Sequence, residues 1–164
     1  MRTAPHDRDS LRALLTGIEY AVLTTRTRDG GLASRPLQTM EIDDAGAIWF
    51  FTSASSGKIE DIRFDEHVAL VYADPAQKVF VAITGRAEVI ADRAKVDQLW
   101  KLGQTIFFPQ GRDDPSLVLL KVTPLAARYW DGNESPLGLL LKFGKAVLRH
   151  EASDLGESRQ IDLS

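Results

Sequence analysis

The chain contains no cysteine among its 164 residues, which excludes disulfide bonds, thiol catalysis and cysteine-ligated metal sites. It also lacks any apolar run of about 18 residues, the minimum for a membrane-spanning helix. Positive charge is not in surplus, since 20 Lys and Arg stand against 23 Asp and Glu, so a nucleic-acid partner is not expected. Residues 1–10 are polar and predict no secretion signal. These absences predict a single cytoplasmic domain that binds neither membranes nor nucleic acid.

The sequence does contain short apolar or alternating segments that are separated by turn residues. We predict six strands, at Tyr20–Thr25, Ala33–Ile42, Ala47–Phe51, Val68–Tyr72, Lys78–Ala91 and Leu117–Trp130. Helical spacing predicts helices at Asp7–Gly17, Ile59–Asp65, Arg93–Leu102 and Leu137–Leu148. Pro36 must then lie at a strand edge or bulge, and Gly85 marks a bend. Strands joined mostly by turns predict a mainly β fold, an antiparallel barrel with helices capping it.

The stretch WFFTSASSGKIEDI, residues 49–62, passes abruptly from an apolar strand to hydroxyl residues, a glycine and a lysine. Hydroxyls of Thr52 and Ser53, a Ser55 or Ser56 N-cap, free N–H groups at a helix start and Lys58 could together bind a phosphate. The order of residues in a Walker loop is missing. The alternative is an ordinary strand-to-helix turn with N-cap serines and a solvated lysine.

A second candidate is Arg35 in the segment SRPLQT. Pro36 favours an extended conformation for the preceding residue, and a guanidinium suits bidentate contact with a phosphate. The alternative is a strand-edge arginine paired with a surface carboxylate. Trp130 precedes a turn, so its ring could border a pocket. The three histidines are too scattered in the sequence for a local metal motif, and no metal is expected.

Five motifs carry a resemblance to a known family: RPL at 35–37, IWFFTSASSGK at 48–58, GRAEV at 85–89, DDPSLVLLKVTP at 113–124 and YWDG at 129–132. Through them the chain resembles the pyridoxamine 5'-phosphate oxidase-like, FMN-binding split-barrel proteins, and within these the general stress protein branch. The resemblance extends from about Leu11 to about Lys145. It implies one flavin-binding, six-stranded antiparallel split barrel over residues 1–150, with residues 151–164 as a polar C-terminal tail.

The resemblance also implies a homodimer that holds FMN at the subunit interface. The arginine of the second strand would contact the flavin phosphate or ribityl chain, and the segment after the third strand would hold the phosphate and ribityl oxygens. The tryptophan of the YWDG motif would lie near the isoalloxazine edge. The implied cofactor-binding residues are Arg35, Pro36, Leu37, Phe51, Thr52, Ser53, Ser56, Gly57, Lys58 and Trp130.

Four departures from the family pattern affect the expected function. Gly57 replaces an arginine found in many relatives, Met40 stands where a lysine is expected, and Phe107 replaces a tryptophan. Residues 136–141 lack the arginine and histidine with which the true oxidases grip their substrate. Oxidation of pyridoxamine phosphate is therefore not expected.

The function expected is that of an FMN-binding general stress protein, with a flavin-dependent oxidoreductase of unknown substrate as one form of it. A non-catalytic flavin reservoir or sensor is the alternative. FAD and a deazaflavin also remain open as ligands, whereas haem is disfavoured because no histidine stands where an axial ligand would be natural. The sequence identifies no catalytic acid or base.

Overall fold

The computed structural model describes residues 5–131 and 159–163. Its strands are β1 Tyr20–Arg26, β2 Leu32–Ile42, β3 Ile48–Ser53, β4 His67–Asp74, β5 Val79–Ile90, β6 Leu117–Asp131 and β7 Arg159–Asp162. Its helices are α1 Pro5–Leu15, α2 Gly57–Phe64 and α3 Arg93–Leu99, with 3-10 turns at Leu102–Ile106 and Gly111–Asp113. The helix predicted at Leu137–Leu148 lies outside the described residues. No helix in the described ranges is both long and apolar enough to cross a bilayer.

The strands form one antiparallel sheet in the order β3-β2-β1-β4-β5-β6-β7, and an additional β3–β6 pairing closes the first six into a barrel. This closure confirms the predicted mainly β split-barrel fold. Strand β7 pairs with residues 126–129 of β6, outside the closed ring. It falls within residues 151–164, where the sequence predicted only a polar tail and no strand.

Strand β3 is apolar on both faces because it separates two hydrophobic clusters. Ile48 and Phe50 are fully buried inside the barrel. Trp49 and Phe51 point outward into a second cluster with residues of α3 and of the loop after it, namely Val96, Leu99 and Phe108. A strand covered on both faces needs a continuous apolar run. This explains why the strand lacks the usual alternation.

Two helices cover the barrel interior. Helix α1 contributes Leu11 and Leu15 to the barrel cluster, and α2 contributes Ile62. Helix α2 begins after Ser56, one of the two serines that the sequence offered as its N-cap, and packs against β1 and β5. Burying each such aliphatic side chain contributes about 1.5–3 kcal/mol. This packing holds the start of α2 next to the end of β3.

Pro36 lies at a strand edge, which confirms the prediction. It pairs with Val22 of β1, whereas β3 pairs with β2 only from Thr39 onward. The Thr39 amide donates to the Glu19 carbonyl, and the antiparallel alternation then turns the ring nitrogen of Pro36 away from β1. No ladder hydrogen bond is lost there.

The bend predicted at Gly85 is a register irregularity between Thr84 and Gly85 in the pairing of β5 with β6. A Cβ atom at Gly85 would lie 2.7 Å from the carbonyl oxygen of Thr123. The close backbone approach therefore requires glycine at this position.

Candidate functional site

A pocket of about 270 Å³ lies between β2, β3, the start of α2 and the loop after α3. Its lining residues are Tyr20, Pro36, Leu37, Gln38, Met40, Phe51, Thr52, Ser53, Lys58, Gln104, Phe107 and Phe108. Apolar and aromatic side chains dominate this lining, and a few polar groups interrupt it. Such a composition is typical of small-molecule sites, in which the polar groups orient the ligand.

The polar part of the pocket comes from the β3–α2 connection, and we call Thr52, Ser53, Ser56 and Lys58 the cradle. Lys58 Nζ donates to Thr52 Oγ1 at 2.9 Å and to Ser56 Oγ at 2.5 Å. Ser56 makes no side-chain cap to the helix, so its hydroxyl serves the lysine instead. The cradle thus gathers one ammonium and several hydroxyls at a helix start.

Lys58 lacks a carboxylate partner within the described part of the chain, since its ammonium donates only to hydroxyls. Burial, and then the nearby Arg35 guanidinium, lower the pKa of Lys58 from its usual 10.5. Both effects disfavour the charged lysine, and a bound anion would reverse them. The electrostatics of the cradle therefore favour an anionic ligand group.

Arg35 is fastened beside the cradle by two side chains. Its Nη1 donates to Thr25 Oγ1 at 2.6 Å, and its Nη2 lies 3.5 Å from Asp61 Oδ2. The Thr25 hydroxyl donates to the same carboxylate oxygen at 2.8 Å. The side chains of Arg35 and Asp61 are 23% and 16% exposed, so this carboxylate partner is partly buried. Arg35 does not line the pocket, and its contact with a flavin phosphate stays a prediction.

Most of the residues implied by the resemblance come together at this pocket. Those that line it are Pro36, Leu37, Phe51, Thr52, Ser53 and Lys58. Ser56 is bonded to Lys58, and Gly57 is the exposed first residue of α2. Trp130 pairs with Phe80 across β5 and β6 and is not in the lining. Its place near the isoalloxazine edge stays a prediction.

The other half of the pocket lining consists of residues that the sequence motifs do not assign to a site. The unassigned residues are Tyr20, Gln38, Met40, Gln104, Phe107 and Phe108. Gln38 has a recognisable signal, because it lies two residues after Pro36 and hence on the same face of β2. Gln104 has no comparable signal, because its burial becomes evident only in the folded chain.

A sequence profile of the family described as pyridoxamine 5'-phosphate oxidase like matches residues 6–154. The chain belongs to this family. The match covers nearly the whole chain, so it includes the barrel, the cradle and the loop after α3. The family assignment made from the motifs is confirmed.

Three known proteins illustrate the range of similarity. A protein related to general stress protein 26 from Clostridium acetobutylicum has a TM-score of 0.68 and 21% identity, covering 80% of this chain and 92% of that one. The general stress FMN/FAD binding protein of Xanthomonas citri has a TM-score of 0.67 and 25% identity, covering 93% and 100%. Protein bli-3 of Neurospora crassa is 22% identical over an alignment of 163 positions, which covers 93% of this chain and 78% of bli-3.

Proposed function

We propose that the protein binds FMN in this pocket, with the cradle holding the phosphate and the aromatic residues facing the ring. The observation that carries the proposal is Lys58, a partly buried cation whose partners among the described residues are hydroxyls. A phosphate would supply the missing negative charge and accept charge-assisted hydrogen bonds. The Xanthomonas citri relative, described as FMN/FAD binding, supports the choice of a flavin.

The residues present fit a flavin phosphate despite the departures from the family pattern. Gly57 has no side chain to offer, but a glycine retains its backbone N–H at the helix start, where anions are favoured. Apart from its chain neighbours and the backbone of α2, no described residue has an atom within 4 Å of a Cβ built there, which leaves space beside the cradle. Arg35 adds positive potential from its place near Lys58.

The flavin would supply the redox chemistry when bound, and the chain would bind it, orient it and shield it from water. A flavin-dependent oxidoreductase and a non-catalytic flavin reservoir would use the same site. We name no catalytic residue for either. Sustained reduction of the bound flavin by a nicotinamide donor would favour the enzyme.

We also propose a cytoplasmic location, on the sequence grounds given above.

We further propose a homodimer, on the basis of an exposed apolar surface that we call the outer face. It comprises Val22, Pro36, Val71, Phe80 and Trp130. Val22 lies opposite both Pro36 and Val71 in the sheet, and Phe80 lies opposite Trp130. Directly opposed residues share one face of a sheet. Val22, Val71 and Phe80 are 43%, 40% and 41% exposed, and contiguous exposed apolar area commonly marks an interface.

The outer face is continuous with the pocket, because Pro36 belongs to both. Tyr20 and Gln38, which also line the pocket, are opposed to one another on the same side of the sheet. A second copy seated on the outer face would therefore border the pocket. This arrangement would bring the flavin to the subunit interface, where Trp130 of one copy could approach the ring bound by the other.

Replacing Lys58 tests the cradle directly. We expect Lys58→Ala to weaken FMN binding by about tenfold to a hundredfold, because a charge-assisted phosphate contact is worth about 1.5–3 kcal/mol. Riboflavin lacks the phosphate, so its affinity should stay unchanged. Fluorescence titration of both ligands measures this, with the exposed Lys101→Ala as the matched control. If Lys58→Ala weakens FMN and riboflavin binding equally, or weakens neither, the cradle does not bind the phosphate.

A further inference from the structure

Two glutamines in the pocket wall form a pair whose hydrogen-bonding capacity is only partly used. Gln104 Nε2 donates to Gln38 Oε1 at 2.9 Å, which joins the loop after α3 to β2. Gln104 is only 5% exposed. Among the described residues, this is the one side-chain hydrogen bond that either amide makes. Buried polar groups are nearly always satisfied, so the unused groups of this pair need an explanation.

The pair presents a defined pattern of donor and acceptor to the pocket. Gln104 uses one N–H and Gln38 uses its carbonyl in this bond. The carbonyl of Gln104 and the NH₂ group of Gln38 therefore remain available. Exchanging the oxygen and nitrogen of both amides leaves the same pattern, with the two residues in exchanged roles. The complement of this pattern is a ligand edge in which an N–H lies beside a C=O. An amide edge has that arrangement.

The surroundings of the pair favour a flat ring over an anion. Phe51, Phe107 and Phe108 line the same pocket, and the rings of Phe51 and Phe108 meet edge to face with centroids 6.4 Å apart. Met40 adds a polarisable thioether to this wall. The only lysine or arginine in the described lining is Lys58, which belongs to the cradle. Aromatic walls with a few polar groups suit neutral heteroaromatic ligands.

We propose that Gln38 and Gln104 recognise the amide edge of a heteroaromatic ring and thereby determine which ring ligands the pocket accepts. This inference rests on the proposed flavin binding, which brings a ring ligand to the pocket. Two ligands of a flavoprotein carry such an edge: the pyrimidine edge of the flavin, with N3–H beside a carbonyl, and the carboxamide of a nicotinamide donor. The opposing explanation is that the pair only ties the loop to β2.

The test compares the wild type with Gln38→Leu and Gln104→Leu, and uses the exposed Gln98→Leu as the control. In the first arm each protein is titrated with FMN and with 3-methyl-FMN, in which a methyl group replaces the N3 hydrogen. In the second arm each FMN-loaded protein is titrated with nicotinamide mononucleotide and with nicotinic acid mononucleotide, whose carboxylate replaces the carboxamide. The midpoint of thermal unfolding is recorded for every variant.

The wild type and Gln98→Leu should prefer the amide-bearing ligand about tenfold in at least one arm, and each pocket variant should reduce that preference below about threefold. A response in the first arm assigns the edge to the flavin, and a response in the second assigns it to the nicotinamide. If Gln104→Leu does not fold, Gln38→Leu carries the same comparison at a less buried position.

Two results would overturn the inference, and they are distinguishable. FMN binding by all four proteins without any difference in preference between them would show that the pair is only a tie between loop and strand, and would leave flavin binding intact. A wild type that does not bind FMN would contradict the proposed function, and the inference with it.

Discussion

At the scale of the residue, Lys58 determines how the pocket responds to pH. Burial, and then Arg35, lower the pKa of Lys58 in the folded protein, so the unfolded chain holds this proton more tightly. The contribution of Lys58 to the free energy of unfolding therefore increases as the pH rises between the lowered pKa and the usual 10.5. At neutral pH the charged lysine opposes folding until an anion binds beside it.

Ligand binding should show the opposite pH dependence. We predict that the affinity for FMN falls as the pH rises through the lowered pKa of Lys58, because the ammonium that attracts the phosphate is lost. The phosphate itself stays fully ionised above about pH 7. Titrations of FMN and riboflavin from neutral pH to just below 10.5 measure the effect. Parallel curves for the two ligands would contradict a role for the lysine, because riboflavin has no phosphate.

At the scale of the element, a polar network fastens α2 to the barrel and thereby positions the cradle. Asp61 of α2 accepts from Thr25 of β1 and pairs with Arg35 of β2. Thr25 is 1% exposed, so its hydroxyl depends on these partners. The network complements the apolar contacts of Ile59 and Ile62 on the same helix.

We predict that Asp61→Asn lowers the free energy of unfolding by about 1–3 kcal/mol, a loss intermediate between those for exposed and fully buried ion pairs. The substitution keeps the shape of the side chain but leaves Arg35 without its anion. Glu60→Gln, at an exposed position of the same helix, should change stability by less than about 0.5 kcal/mol. Urea denaturation of the three proteins compares them. Equal midpoints would show that the network contributes no net stability.

Among the elements, those with a local sequence pattern were predicted, and those that depend on long-range contacts were missed. Strand β4 alternates between buried and exposed residues, whereas β3 is a continuous apolar run. Local patterns of these two kinds predicted the six barrel strands. The cradle was predictable because its residues lie within one short segment, residues 52–58. Strand β7 has four residues in a polar stretch, and its pairing with β6 is long-range. Gln104 and Gln38 are 66 positions apart, so their meeting depends on packing that no local pattern reveals.

At the scale of the whole molecule, the outer face leads to a prediction about assembly. We predict that the wild type is a dimer and that Val71→Asp makes it a monomer, because a charge at the centre of an apolar interface loses its hydration without gaining a partner. The affinity for FMN should also be lower in the Val71→Asp monomer than in the wild-type dimer. Light scattering and FMN titration on the same samples measure both effects. Ile106→Asp, which replaces an 82% exposed side chain outside the outer face, is the control.

A monomeric wild type would refute the dimer and the interfacial site together. A Val71→Asp monomer that binds FMN as tightly as the wild type would leave the dimer intact but refute the interfacial site, since the pocket would then be complete within one chain.

Titration of the purified wild type with FMN tests the proposal that this pocket binds a flavin. We predict saturable quenching of FMN fluorescence with micromolar affinity or tighter, together with flavin absorption bands that remain with the protein after gel filtration. A protein that leaves FMN fluorescence unchanged up to millimolar protein would contradict the claim. The cradle would then have to serve a different phosphorylated ligand.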